Sequence, residues 1–248
     1  MIGIIMDFLN FFISLFNTLF KVNKKIEITK KGTIIVLVIC VVLICIGVFL
    51  FVLFNNTTTE TTDFSDVNVE DWCYDAVTYL YNRGLIIGTG EKQFAPEEPA
   101  TRAVVTTILY RLEGEPAFKD VVTFHDVPWD QYYSNAVAWA ASNKIVVGYD
   151  GFFYPGEPIT REQMALILYR YHKEYRGCQV TNTGSELNMF IDWKSVSEYA
   201  ASSVAWAIQS GLFLDIIDDY TIMPEYTVTR AQVAVIFMRY CESFDKTF

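Results

Sequence analysis

The sequence predicts a mainly α-helical protein: three helix–loop–helix units in tandem, preceded by one transmembrane helix and, before that, an amphipathic helix. Two observations predict it. Residues 33–54 carry no charged side chain and are almost wholly Ile, Val, Leu, Phe and Cys. From residue 64 onward a set of sequence elements recurs three times in the same order.

The apolar run comes first. A bilayer core about 30 Å thick needs roughly 20 apolar residues of helix, which residues 33–54 supply. The run is too long for the core of a signal peptide, and no small-residue cleavage site follows it, so an uncleaved anchor is expected. Lys21, Lys24, Lys25, Lys30 and Lys31 precede the run, and no lysine follows until Lys92. Positive residues stay on the cytoplasmic side, which puts the N-terminus inside and residues 55–248 outside. Within residues 1–22, Gly3, Asp7, Asn10, Ser14, Asn17, Thr18 and Lys21 recur at steps of three and four, along one helical face. An interfacial helix on membrane lipid is the expected form. The rival, a second crossing, would place Asp7 and two asparagines in lipid.

The chain of 248 residues has a net charge of -10 and a pI of about 4.7, with 52% hydrophobic and 16% aromatic residues. Nucleic acid is an unsuitable partner, because phosphate binding needs clustered Lys and Arg. Cys73, Cys178 and Cys241 form an odd exterior set with no metal-ligand spacing, allowing at most one internal disulfide.

After a polar linker at 55–63, repeat 1 (64–115) opens on Phe64-Ser65-Asp66-Val67, repeat 2 (124–175) on Phe124-His125-Asp126-Val127, and repeat 3 (190–245) on Phe190-Ile191-Asp192-Trp193. An aromatic follows in each: Trp72, Tyr132, Tyr199. Then come Ala76-Val77, Ala136-Val137 and Ser203-Val204, and an apolar run ending at Gly88, Gly148 or Asp215. Pro96, Pro155 and Pro224 precede Thr101-Arg102, Thr160-Arg161 and Thr229-Arg230. Recurrence of this order at about sixty residues means one structural unit used three times. After each Arg, apolar residues fall at helical spacing: Val105, Ile108, Leu109, Leu112; Met164, Ile167, Leu168, Tyr171; Val233, Ile236, Phe237, Tyr240. A single hairpin cannot bury such a face alone; three can share a core. Residues 176–189 read as an inserted loop.

Each Thr suits an N-cap, and Gln163 and Gln232 complete capping boxes that Val104 does not. The Arg is different. A cation in a first helical turn faces the positive helix end. Its threefold recurrence points either to bidentate recognition of a carboxylate ligand or to an internal salt bridge with a repeated Asp.

Taken together, these elements resemble the S-layer homology family over residues 64–245. The resemblance implies three units in a pseudo-threefold arrangement with ligand grooves between neighbours. It also implies non-covalent binding of cell-wall polysaccharide, often a secondary polymer ending in a pyruvylated sugar. By that resemblance Arg102, Arg161 and Arg230 face the ligand's carboxylate. Trp72, Tyr132, Tyr199, Gly88 and Gly148 shape the groove, and Asp66, Asp126 and Asp192 belong to the binding set. Val104, Gln163 and Gln232 stand where the family carries Glu, and Asp215 replaces a turn glycine. Repeat 3 is therefore expected to bind abnormally.

A tether joining membrane to wall polysaccharide is the leading expectation, and a scaffold for an envelope protein partner is the alternative. Catalysis is not expected: His125 and His172 lie in different units, and no nucleophile motif, phosphate loop or zinc spacing occurs. No cofactor or metal is expected; Asp215, Asp218 and Asp219 match no calcium loop.

Overall fold

The computed structural model describes residues 62–118, 122–181, 184–217 and 220–244. The amphipathic helix expected over 1–22, the span expected over 33–54 and nearly all of the linker lie outside them, as do Asp218 and Asp219. Among the described residues there are six α-helices and no strand: α1 (Tyr74–Asn82), α2 (Arg102–Leu112), α3 (Ser134–Ser142), α4 (Arg161–Arg170), α5 (Ala201–Gln209) and α6 (Arg230–Phe244). None of these is long and apolar enough to cross a membrane.

Each repeat is a short helix, a loop and a second helix. Of the first helices, α3 and α5 are rich in alanine and bury Ala136, Ala138, Ala140, Ala205 and Ala207, and α1 buries its one alanine, Ala76. Small side chains let a neighbouring helix come close. Each of these helices is followed by a left-handed residue: Gly84 (φ 68°), Lys144 (φ 60°) and Gly211 (φ 71°). That conformation stops a helix and is natural to glycine. The second helices begin at the Thr caps. Thr101 accepts from Val104 N–H without a reciprocal bond, and Thr160 closes a full box with Gln163. Thr229 and Gln232 also bond reciprocally, at 3.2 and 3.1 Å. Every apolar residue singled out on these helices is buried.

The helices do not pack in hairpin pairs. α2 packs on α3, α4 on α5, and α6 returns to α1, so each unit's second helix meets the next unit's first. Buried aromatics mark these contacts: Trp139 lies 5.5 Å from Tyr110, and Trp206 lies 5.8 Å from Tyr169. The loops close the same ring. Ile159 N–H donates to Ala100 O, Val228 N–H to Ile159 O and Ala100 N–H to Val228 O, at 2.8–2.9 Å. All three residues are fully buried. The loop Pro carbonyls accept the free N–H groups at the helix starts: Ala103 N–H bonds Pro155 O, Glu162 N–H bonds Pro224 O and Ala231 N–H bonds Pro96 O. Helix N-termini need such acceptors.

Two segments depart from the expected outline. α4 runs on into a π-helical turn, Tyr171–Tyr175, and the insertion contains a 3-10 helix, Ser185–Met189, that buries Leu187. A loop composition concealed that apolar anchor.

Candidate ligand-binding clefts

The ring places each Thr-Arg arginine in the loop of the following repeat. Arg102 donates from Nε to Phe153 O (2.9 Å) and from Nη2 to Val147 O (3.4 Å). Arg230 donates from Nε to Phe94 O and from Nη2 to Ile87 O, both at 2.7 Å. Arg161 donates from Nη1 to Ile222 O (2.8 Å) and from Nη2 to Ile216 O (2.9 Å). The guanidinium carbons of Arg102 and Arg230 also sit 4.7 Å from the ring centroids of Phe153 and Phe94. Loop carbonyls thus supply the negative partner that the helix start denies a cation. Burial pulls the pKa values of Arg102 and Arg230 downward, and nearby Asp126 and Asp66 respectively act the other way. Arginine stays charged under such shifts. Nη1 of Arg102 and of Arg230 makes no hydrogen bond among the described residues.

The repeated aspartates do not pair with these arginines through a contact. Asp66 accepts from Phe94 and Ala95 N–H, Asp126 from Phe153 and Tyr154 N–H, and Asp192 from Ile222 and Met223 N–H, at 2.7–3.2 Å. Ala95, Tyr154 and Met223 are left-handed, at φ 58°, 60° and 50°, each just before a proline. The carboxylate over-determines a backbone that non-glycine residues avoid. It thereby aims the carbonyls that hold the arginine. Burial acts to raise the pKa of Asp66, but the two loop hydrogen bonds outweigh it and hold the carboxyl below its ordinary value.

Two clefts flank this machinery. The first, about 330 Å³, is lined by Arg230 of repeat 3, Ile87, Gly88, Glu98, Val104 and Arg111 of repeat 1, and Tyr132 of repeat 2. The second, about 490 Å³, is lined by Arg102 of repeat 1, Val147, Gly148, Tyr149, Tyr154, Glu157 and Arg170 of repeat 2, and Tyr199 of repeat 3. Each cleft therefore draws on all three units. Tyr132 and Tyr199 are each 58% exposed, and Trp72, in the matching sequence position, is 60% exposed. Asp66, Asp126 and Asp192 line neither cleft. Gly88 and Gly148 serve by size: a Cβ there would come within 2.4 Å of Gln93 O or 2.3 Å of Phe152 O, and collide with the ring of Phe64 or Phe124.

Three residues per ring escaped the sequence reading. Arg111, Arg170 and Arg239 each stand nine positions after a Thr-Arg arginine, a spacing that would have revealed them. Arg111 donates to Leu85 O (3.3 Å) and pairs with Glu115 at 3.9 Å, while Arg170 makes no hydrogen bond among the described residues. In repeat 3, Arg239 bonds Leu214 O and pairs with Asp215 at 3.4 Å. The residue replacing the turn glycine has become an internal anion for the second arginine. Glu162 also went unnoticed: buried on α4, it accepts from Ser197 N–H and Oγ–H and, at 2.6 Å, from Tyr199 O–H. His172 is an internal group, with Nδ1 3.1 Å from the Tyr240 hydroxyl and a pKa drawn down by burial. Cys73, Cys178 and Cys241 are free thiols.

Three helical units closed in a ring, each lending an arginine to the next, define a repeat-built domain whose clefts lie between units. The S-layer homology domain profile matches residues 63–103, 117–165 and 190–234, more than half of the chain, and the chain belongs to that family. Among its relatives, an endoglucanase of a Bacillus species is 32% identical over 183 residues, 73% of this chain and 19% of that protein. The surface-layer 125 kDa protein of Lysinibacillus sphaericus is 28% identical over 192 residues, 76% of this chain and 15% of that protein. Exoglucanase XynX of Acetivibrio thermocellus is 28% identical over 179 residues, 71% of this chain and 16% of that protein. The chain thus spans less than a fifth of each of these relatives.

Proposed function

We propose that this chain is a non-catalytic attachment protein that binds an acidic cell-wall polysaccharide non-covalently in the clefts between its repeats. The supporting observation is the pair of arginines in each described cleft. One is fixed against loop carbonyls, with no partner for Nη1 among the described residues, and the other lies on the facing helix. In the second cleft two arginines stand against one glutamate, which leaves it locally cationic within an acidic chain; in the first, Arg111 also pairs with the exposed Glu115. That local charge favours a carboxylate, such as that of a pyruvylated sugar, despite long-range repulsion. A charge-assisted hydrogen bond there contributes roughly 1.5–3 kcal/mol, and two clefts on one polymer add avidity. The corresponding position at Arg239 in repeat 3, where Asp215 already pairs with that arginine, is proposed to bind weakly or not at all. Surface-layer proteins among the relatives agree with a cell-surface role. Residues 33–54 are proposed as a single membrane span, with residues 1–22 on inner-leaflet lipid, the N-terminus cytoplasmic and the repeats on the wall side.

The test is binding of the full chain, in mild detergent, to wall sacculi before and after acid extraction of the secondary polymer. Binding that disappears with the polymer is expected. Equal binding to extracted sacculi, or no binding by folded protein, overturns the reading and turns the search to an envelope protein partner.

A further inference from the structure

Repeat 2 differs from repeat 1 at the mouth of the second cleft. Its hairpin is closed by Tyr149 N–H to Phe152 O at 2.8 Å, where repeat 1 uses Thr89 N–H to Gln93 O at the same distance. His125 N–H bonds Gly151 O as Ser65 N–H bonds Lys92 O. These bonds align His125, Tyr149, Phe152 and Tyr154 with Ser65, Thr89, Gln93 and Ala95. Four small or polar residues of one repeat are rings in the other.

The rings are not core. Tyr149 is 78% exposed, Phe152 37% and Tyr154 42%. They are nonetheless ordered into a face: His125 and Phe152 have centroids 5.3 Å apart, and Phe152 and Tyr154 stack at 5.9 Å with planes 29° apart. Repeat 1 closes its hairpin through the corresponding bonds, over a loop one residue longer, without any of these rings, so the closure does not require them. Leaving such rings in water forgoes the stabilisation of apolar burial. Tyr149 and Tyr154 also line the cleft that holds Arg102 and Arg170, which makes the face continuous with it.

We infer that this aromatic face is a second sugar subsite, occupied by an uncharged ring of the same polysaccharide strand whose acidic sugar lies at Arg102 and Arg170. The inference rests on the polysaccharide reading of the clefts. A pyranose presents an apolar C–H face that stacks on an aromatic ring while its hydroxyl rim stays in water. Aromatic side chains suit such contacts because they offer a large rigid surface with little side-chain freedom to lose. A strand leaving the second cleft past Tyr154 meets Phe152 and His125 next. The first cleft, with Thr89, Gln93 and Ala95 in those places, grips only the acidic sugar. The two clefts therefore read different lengths of one polymer.

The test installs repeat 1's own residues at the two rings that do not line the second cleft, His125→Ser and Phe152→Gln together. The full chain in mild detergent is titrated with acid-released wall polysaccharide, cut to a single acidic sugar or to several sugars. The double variant should lose about fivefold in affinity for the longer fragments, less than about twofold for the single sugar, and melt as the unmodified chain does. Equal loss for both lengths, or no loss for either, overturns the inference. Arg170→Ala on the same fragments separates the two readings. If it weakens both lengths while the double variant changes nothing, the clefts stand and the platform falls. If Arg170→Ala changes nothing either, the cleft reading itself fails, and the platform with it.

Discussion

At the scale of single residues, the repeated aspartate is the least obvious participant. It acts at one remove, by holding a strained loop whose carbonyls hold the arginine. Its hydrogen bonds to Phe94 and Ala95 depress the pKa of Asp66 below the ordinary 3.8. A carboxyl whose folded pKa is depressed contributes stability that is complete above the unfolded value and lost as pH falls through the folded one. Urea unfolding should therefore show stability declining below about pH 4. Asp66→Asn should cost about 1–3 kcal/mol at neutral pH and flatten that decline. The pairing was not legible in the sequence, where an Asp and an Arg sharing a repeat invite a salt bridge. The bonds to backbone depend on a loop conformation that no residue type announces, since Ala95, Tyr154 and Met223 are ordinary residues in left-handed positions.

At the scale of elements, the sequence was more open. The helix starts at Thr-Arg, the capping boxes at Thr160 and Thr229, and the buried faces of α2, α4 and α6 follow from cap chemistry and apolar spacing, which are local. The 3-10 helix inside the insertion was not visible, because its only apolar anchor of note is Leu187. Local rules also expose one flaw. α1 and α5 are followed by glycine in the left-handed conformation, whereas α3 is followed by Lys144 at φ 60°. Glycine adopts that conformation without the steric cost of a Cβ. Lys144→Gly should raise stability by about 1 kcal/mol, read as a higher Tm in calorimetry.

For the whole molecule, the decisive feature is non-local. Units read as consecutive hairpins in sequence exchange their partners, so that α6 closes onto α1 and Arg230 reaches the carbonyls of Ile87 and Phe94. Periodicity revealed that three units share a core, but the order in which helices meet is set by ring closure, which a linear reading does not contain. Linear repeat arrays tolerate loss of an end unit, since each contacts only its neighbours. A ring does not. A variant ending at residue 189 should lose the cooperative transition in circular dichroism, because α1 and α4 are both left without their packing partners. A shortened chain that still melts in one sharp transition would contradict the closed arrangement.

The central claim is that the cleft arginines hold an acidic sugar. Arg170 tests it most directly, because it lines the second cleft yet makes no hydrogen bond among the described residues, so altering it spares the ring. Calorimetric titration of acid-released wall polysaccharide into the full chain and into Arg170→Glu should show affinity falling by at least about tenfold, with Tm unchanged. Unaltered affinity in the folded variant would contradict the account.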